Sequence, residues 1–328
     1  MTGHERIDVQ HHFLPEAYVK AVGRDAIADS IVSGRCPEWT PEISLAAMDR
    51  NGIARAMLSL GAPAPETGDA PHSAELARLC NEIAATHRHD HPGRFGFFAT
   101  LPMPHVDESL DEIAHALDVL GADGICLLTN HAGHYLGEKT LAPVLEELDR
   151  RAAVVFVHPA DLHVRRPLDF LPAATLEYPF DTTRAIAGLL YSGTMARLRR
   201  IRFIFSHAGG TIPFLADRVG RLERRPDLAA KVPDGAVTEL RRHYYDIALS
   251  AGPRTLRPLL DLIPHDRILF ASDFPFAGED TMAGTVKALN GQGLPDETVA
   301  AIEHGNARAL FGAPDAMTAP RRRTGMTR

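Results

Sequence analysis

The chain has 328 residues, of which 45% are hydrophobic and 23% charged, and its formal net charge is −7. Those proportions are ordinary for a soluble globular protein, and the acidic balance excludes the basic footprint of a nucleic-acid binder. Three cysteines, Cys36, Cys80 and Cys126, have no close spacing, which excludes a disulfide framework and a Cys-x-x-Cys metal knuckle.

The first strand is expected at residues 6–9, and it runs into Gln10, His11 and His12. Gln10 and His12 are two apart, so their side chains share one side of an extended chain. His11 then points the other way and reads as structural. An insertion at residues 16–41 follows, either a lid or plain surface elaboration. Strands at 54–59, 95–100 and 124–128 come next. Helical stretches at 73–87 and 108–120 separate them, the first with Leu76, Leu79, Cys80 and Ile83 on one face, the second with Leu110, Ile113, Leu117 and Leu120.

A helix at 141–151 leads to the fifth strand, 154–157, which ends at His158-Pro159. A second insertion spans 162–180, and a helix follows at 181–191 with Asp181 as its expected N-cap. The sixth strand, 202–205, ends in Ser206-His207-Ala208-Gly209-Gly210, small residues that permit close approach of backbone or ligand. Strands at 244–247 and 268–271 flank a helix at 256–262, and the last strand runs into Ser272-Asp273-Phe274-Pro275. A helix at 297–310 completes the series; residues 316–328 form a basic tail expected to be disordered.

Strands that are short, apolar and near-continuous are buried on both faces, as in a parallel sheet. Eight of them alternating with helices predict an α/β fold, a (β/α)₈ TIM barrel with insertions after strands 1 and 5, in one domain over residues 1–315. All strands of such a barrel end on one face, so polar residues far apart in sequence meet there. Gln10, His12, His158 and Asp273 then make a candidate four-ligand metal set. His207 has an orienting or proton-handling role beside them. Any one of the 17 histidines alone would be weak support. Their shared place at strand ends is what carries the expectation. No signal peptide and no apolar span of about 18 residues is recognisable, so a cytoplasmic protein with no membrane partner is expected.

These segments together are specific. With the 8–15 start, Trp39 to Asp49, Thr100-Leu101-Pro102 and Asn306-Ala307-Arg308, the chain resembles the amidohydrolase-related decarboxylases, the family of α-amino-β-carboxymuconate-ε-semialdehyde decarboxylase. Two further segments, Gly124-Ile125-Cys126-Leu127-Leu128-Thr129-Asn130 through Tyr135-Leu136-Gly137 and Tyr178-Pro179-Phe180-Asp181-Thr182-Thr183-Arg184, are similar to those of 6-methylsalicylate decarboxylases. The resemblance implies non-oxidative loss of CO₂ from an aromatic, salicylate-type acid. It implies one divalent metal held by Gln10, His12, His158 and Asp273, with His207 catalytic. Zinc suits the imidazoles, while oxygen donors also allow manganese or magnesium. It further implies arginines on the substrate carboxylate, Arg218 and, by a looser correspondence, Arg35, with Arg218 able to act across a homodimer.

Gln10 departs from the family's usual His-x-His. A neutral amide oxygen is a weaker donor than imidazole or carboxylate. Gln10 either ligates weakly, or does not ligate, or marks a metal-free site. Asp273, or a water held by His207 and Asp273, is the expected proton donor, which calls for a raised carboxyl pKa. Two other functions compete: a mononuclear lactone or amide hydrolase, and a metal-poor binding protein. The strand ending Leu128-Thr129-Asn130 offers no lysine or carboxylate for a second ion. Phe13, Trp39, Tyr135, Phe180 and Phe276 are candidates to stack on a substrate ring or to fill the core.

Overall fold

The computed structural model describes residues 5–160, 168 and 170–312. Eight strands form one parallel sheet in sequential order: β1 (Arg6–His12), β2 (Ile53–Ser59), β3 (Phe95–Thr100), β4 (Gly124–Leu128), β5 (Val154–His158), β6 (Arg202–Phe205), β7 (Tyr244–Asp246) and β8 (Ile268–Leu269). The sheet closes between its two ends. Val9 N donates to Phe270 O (3.1 Å), Asp273 N to Gln10 O (2.9 Å) and His12 N to Phe274 O (2.7 Å). The expected (β/α)₈ barrel is therefore present.

Two apolar layers hold it. Alternate residues of β5, Val154 and Phe156, face the interior with Val9, Phe98, Cys126 and Ile204. Val155 and Val157 face outward into the helices. The C-terminal helix Asn306–Phe311 joins the inner cluster through Ala307, Leu310 and Phe311, plugging the barrel. Arg202 Nη1 donates to the Leu310 carbonyl at 3.4 Å, tying that plug to β6.

Several helices lie where the sequence showed none. The first insertion folds into α1 (Glu16–Val22) and α2 (Arg24–Asp29), and α3 (Pro41–Arg50) follows it. Thr40 caps α3 by accepting from Ile43 N, and Pro41 opens it with the φ a first turn requires. Helix α4 (Ala70–Asp90) begins three residues before the expected start, capped by Asp69. The stretch at 108–120 is Val106–Ala114 continued by a π-turn, His115–Val119, and a second π-turn, Ala301–Gly305, interrupts the last expected helix.

The helix expected at 181–191 is longer and begins elsewhere. It is α5 here, Ala173–Tyr191, with Pro172 at its N-cap and Pro179 inside it. A proline inside a helix lacks the N–H for the preceding turn and ordinarily interrupts it. The tertiary contacts override it, so Asp181 is a fully buried mid-helix residue rather than a cap. Part of the second insertion, residues 161–167 and 169, and the basic tail lie outside the described residues. Among the described residues no helix is long and apolar enough to cross a membrane.

Candidate active site

Pairing between β1 and β2 slips between Asp8 and His11. Such a slip breaks the strict in–out alternation of a strand. Ile7 and Val9 belong to the barrel interior, yet Gln10 and His12 also reach the interior mouth. His11 faces outward: its Nδ1 meets Asp8 Oδ2 at 2.9 Å and its Nε2 meets Ser44 Oγ of α3 at 2.9 Å. That is the structural role expected for it.

At the mouth, His12, His158 and Asp273 each offer one atom, and these atoms all lie within 4.8 Å of one another. His12 Nε2 is 3.0 Å from Asp273 Oδ1. The rings of His12 and His158 meet edge to face at 4.8 Å, and those of His158 and His207 at 6.0 Å. His207 Nε2 lies 3.9 Å from Asp273 Oδ2. Gln10 sits among them. Its Nε2 is 2.7 Å from Asp273 Oδ1, 3.0 Å from His207 Nε2 and 3.4 Å from His12 Nε2. Its Oε1 is buried with no partner among the described residues.

Backbone carbonyls decide which imidazole nitrogens face the centre. A carbonyl can only accept, so His12 Nδ1 donates to Ser59 O (3.2 Å) and His158 Nδ1 donates to Pro159 O (2.8 Å). Both rings are left with Nε2 for the centre, the arrangement that orients metal-ligating histidines. Burial, with the neighbouring His12 and His207, drives His158 well below the ordinary imidazole value; burial also lowers His207.

Asp273 behaves otherwise. Burial alone would raise its pKa, but the His12 hydrogen bond and the surrounding imidazoles outweigh burial and hold it below the usual carboxylate value. The raised pKa expected of a free-standing proton donor is therefore not found. The reason is the three histidines around the carboxyl. Asp246 shows the opposite effect: burial pushes it well above the carboxylate range despite bonds from His207 N (2.9 Å) and Ala248 N (3.0 Å).

The site is set on unusual backbone. His207 and Asp273 both have positive φ, 52° and 64°. Few side chains occupy that region unless the surroundings impose it, and such residues gather at functional sites. The Gly209-Gly210 turn serves close packing: a Cβ on Gly210 would collide with the Pro179 carbonyl, and one on Gly209 with the Tyr245 ring.

The residues present fit a divalent cation. Two imidazole lone pairs and an ionised carboxylate converge, and electron-rich atoms 3.0 Å apart need a proton or a cation between them. A half-turn of the Gln10 carboxamide brings its orphaned oxygen to the same point. Phe276 stacks on His12 at 4.5 Å, which Gly61 permits because a Cβ there would strike the Phe276 ring. Of the other ring-stacking candidates, Phe13 is buried in the core, Trp39 packs on Phe13 and His87, Tyr135 donates to Asp181, and Phe180 is 44% exposed.

Arg35 lies in the turn after α2, and Arg218 on the helix Ile212–Gly220, here α6; both are exposed. Among the described residues, neither guanidinium has a hydrogen bond or ion pair to the cluster. Asp8, Asp246, Thr129 and Asp181 all support the site and were not singled out for it in the sequence. A carboxylate inside the expected strand at 244–247 was the available signal for Asp246.

A family model for amidohydrolases matches residues 7–313. The chain belongs to the amidohydrolase family. It is 38% identical to a decarboxylase of Aspergillus niger, over 94% of this chain and 87% of that one. It is 36% identical to 6-methylsalicylic acid decarboxylase of Penicillium expansum, over 93% of this chain and 96% of that one. The solved structure of 5-carboxyvanillate decarboxylase from Novosphingobium aromaticivorans, complexed with manganese and 4-hydroxy-3-methoxy-5-nitrobenzoic acid, matches with a TM-score of 0.82. That match covers 95% of this chain and 97% of the other at 19% identity, and it shows the shared fold.

Proposed function

We propose that this amidohydrolase-family protein is a carbon–carbon lyase, a metal-dependent non-oxidative decarboxylase of a salicylate-type aromatic acid. The observation that carries the reading is the convergence of His12, His158 and Asp273 beside His207, in a chain whose relatives at 36–38% identity are decarboxylases. His12, His158 and Asp273 would hold one divalent ion, with Gln10 Oε1 as the fourth donor. When bound, that ion would neutralise and orient the substrate's carboxylate and ortho-hydroxyl oxygens. Two imidazoles favour zinc, and the oxygen donors admit manganese, the ion that accompanies the 5-carboxyvanillate enzyme.

The chain's own residues supply orientation and a proton. Direct loss of CO₂ from a benzoate would leave an aryl carbanion. Protonating the carboxylate-bearing ring carbon first avoids it, since the ortho oxygen feeds electron density to that carbon. The C–C bond then breaks, CO₂ leaves, and its electron pair restores the aromatic ring. His207 Nε2 and Asp273 Oδ2 are placed to hold that proton between them, directly or on a water. Phe276 stacks on the His12 ring, and the Tyr178 ring lies 6.4 Å from that of His158, centroid to centroid.

Arg218 is assigned to the substrate carboxylate on the family resemblance. Its exposure in the single chain fits service to a second copy in a homodimer; Arg35 is assigned in the same way. The mononuclear hydrolase reading has less support. The relatives at 36–38% identity are decarboxylases, and the single three-residue ligand group among the described residues disfavours a two-metal hydrolase as well. The test is direct. Protein loaded with zinc or manganese is incubated with salicylate-type acids, and CO₂ and the decarboxylated phenol are measured. Equal release of both is expected. No CO₂ from any such acid, with new carboxylate formed from a lactone or amide, would overturn the assignment.

A further inference from the structure

Asp181 is fully buried in the middle of α5, where a carboxylate has no structural need to be. It accepts three hydrogen bonds: from Thr129 Oγ1, from Tyr135 OH and from Asn130 Nδ2 at 3.1 Å. All three donors come from the end of β4 and the short hairpin Asn130–His131/His134–Tyr135 that follows it. None of the three donor groups bonds to a side chain of the His12–His158–Asp273 cluster.

The connection runs through Thr129. Because its hydroxyl proton is committed to Asp181, its oxygen is left to accept, and it accepts from Ala160 N at 3.0 Å. Thr129 N donates to His158 O at 2.9 Å. One residue thus clamps the backbone on both sides of Pro159. The Pro159 carbonyl between those clamps is the one that takes His158 Nδ1–H. If the His158–Ala160 backbone turns, that carbonyl leaves the ring, and His158 loses the partner that presents Nε2 to the centre. Helix α5 reinforces the arrangement by placing Tyr178 edge-on to the His158 ring.

We propose that Asp181 and Thr129 are positioning residues for His158. Asp181 polarises the Thr129 hydroxyl, and Thr129 locks the His158–Ala160 backbone so that His158 is held as a single Nδ1–H tautomer. This assignment deepens the metal-dependent reading of the site. It also gives a function to the two sequence segments, 124–137 and 178–184, that the metal cluster itself leaves unused.

The test uses divalent zinc or manganese as the probe, with affinity measured by competition against a chromophoric chelator. Thr129→Val and Asp181→Asn are expected to weaken binding about 10–100-fold, the range for residues that orient ligating histidines. Thr129→Ser, which keeps the hydroxyl, is expected to bind like the unaltered protein. The metal-free protein supplies a separate readout. Imidazole ¹⁵N NMR should show one His158 tautomer in the unaltered protein and a mixture in Thr129→Val. Unchanged affinity and an unchanged tautomer in Thr129→Val overturn the proposal, and that variant decides against Thr129→Ser even if Asp181→Asn does not fold. If the unaltered protein binds neither ion, the metal-dependent function fails; the NMR comparison still judges the positioning role.

Discussion

Strand β1 carries two histidines side by side, and they enter two different constellations. On the inside, His12 joins His158, His207, Asp273 and Gln10 at the barrel mouth. On the outside, His11 lies between Asp8 and Ser44, with 2.9 Å to each, and Trp39 Nε1 donates to the same Ser44 oxygen at 2.8 Å. The outer set has the residue types and spacing of a Ser-His-Asp triad. It is nevertheless structural. Asp8, His11 and Ser44 are fully buried, Ser44 Oγ is already occupied, and Asp8 Oδ1 also accepts from Gln10 N and Ser272 N. Every polar atom in it is satisfied, so nothing remains to act on a substrate. The inner set is incomplete by design. It has an amide oxygen without a partner among the described residues and lone pairs that face one another. Unsatisfied polar geometry next to an opening marks the functional cluster, and satisfied geometry marks the scaffold.

The largest expected effect breaks the inner cluster. Asp273→Asn and His207→Ala should each lower kcat for CO₂ release by about 10²–10⁴-fold, the usual contribution of a positioned acid or base. Asp273→Asn should also lower bound metal, whereas His207→Ala should keep it. Near-normal rates in both would erase the distinction drawn between the two sets. The outer cluster should respond in stability alone. Ser44→Ala leaves the His11 and Trp39 nitrogens without their partner and should destabilise by about 1–3 kcal/mol in denaturant melts. Turnover per folded molecule should stay the same; a fall in kcat would make the outer set part of the chemistry.

Gln10→His should raise metal affinity about tenfold, or about 1.4 kcal/mol, read by chelator competition. In the same variant the metal-free protein should melt lower, because the amide N–H that now reaches Asp273 is gone. Unchanged affinity would show that Gln10 does not face the ion.

The smallest effect concerns a third kind of histidine, one with no polar partner. His243 packs edge to face against Phe203 and Phe205, and neither ring nitrogen has a partner among the described residues. Burial pushes its pKa down to about 3, as it does for His131. A depressed folded-state pKa means the unfolded chain takes up the proton first. Stability is then full above the unfolded value near 6.5 and falls as pH drops toward 3. Each such histidine contributes at most about 1.4 kcal/mol per pH unit in that window. His243→Phe should flatten the acid limb of a stability–pH curve. An acid limb of unchanged slope would mean that His243 is not neutral in the fold.

Much of this protein is legible in one dimension, because the physics involved is local. An apolar run such as Val154-Val155-Phe156-Val157 has no polar side to expose, so it reads as a strand covered on both faces. A polar residue that ends such a run must lie where the strand ends. That reasoning found the barrel and brought Gln10, His12, His158, His207 and Asp273 to one face. Local signals failed where a distant contact outweighed them. The helix expected to start at residue 181 starts at Ala173 instead, with Pro179 inside it and the Pro179 carbonyl packed against Gly210. Asp181 read as a cap and is instead a buried acceptor for three groups. The slip in β1 that turns both Val9 and Gln10 inward depends on pairing with β2, whose partner residues lie nearly fifty positions away. Which atom of Gln10 faces Asp273, and which nitrogen of His158 faces the centre, depends on groups from four strands. Strand identity and strand ends follow from residue type and period. Side-chain rotation, tautomer and backbone slip follow from closing the barrel, and only the tertiary structure decided those.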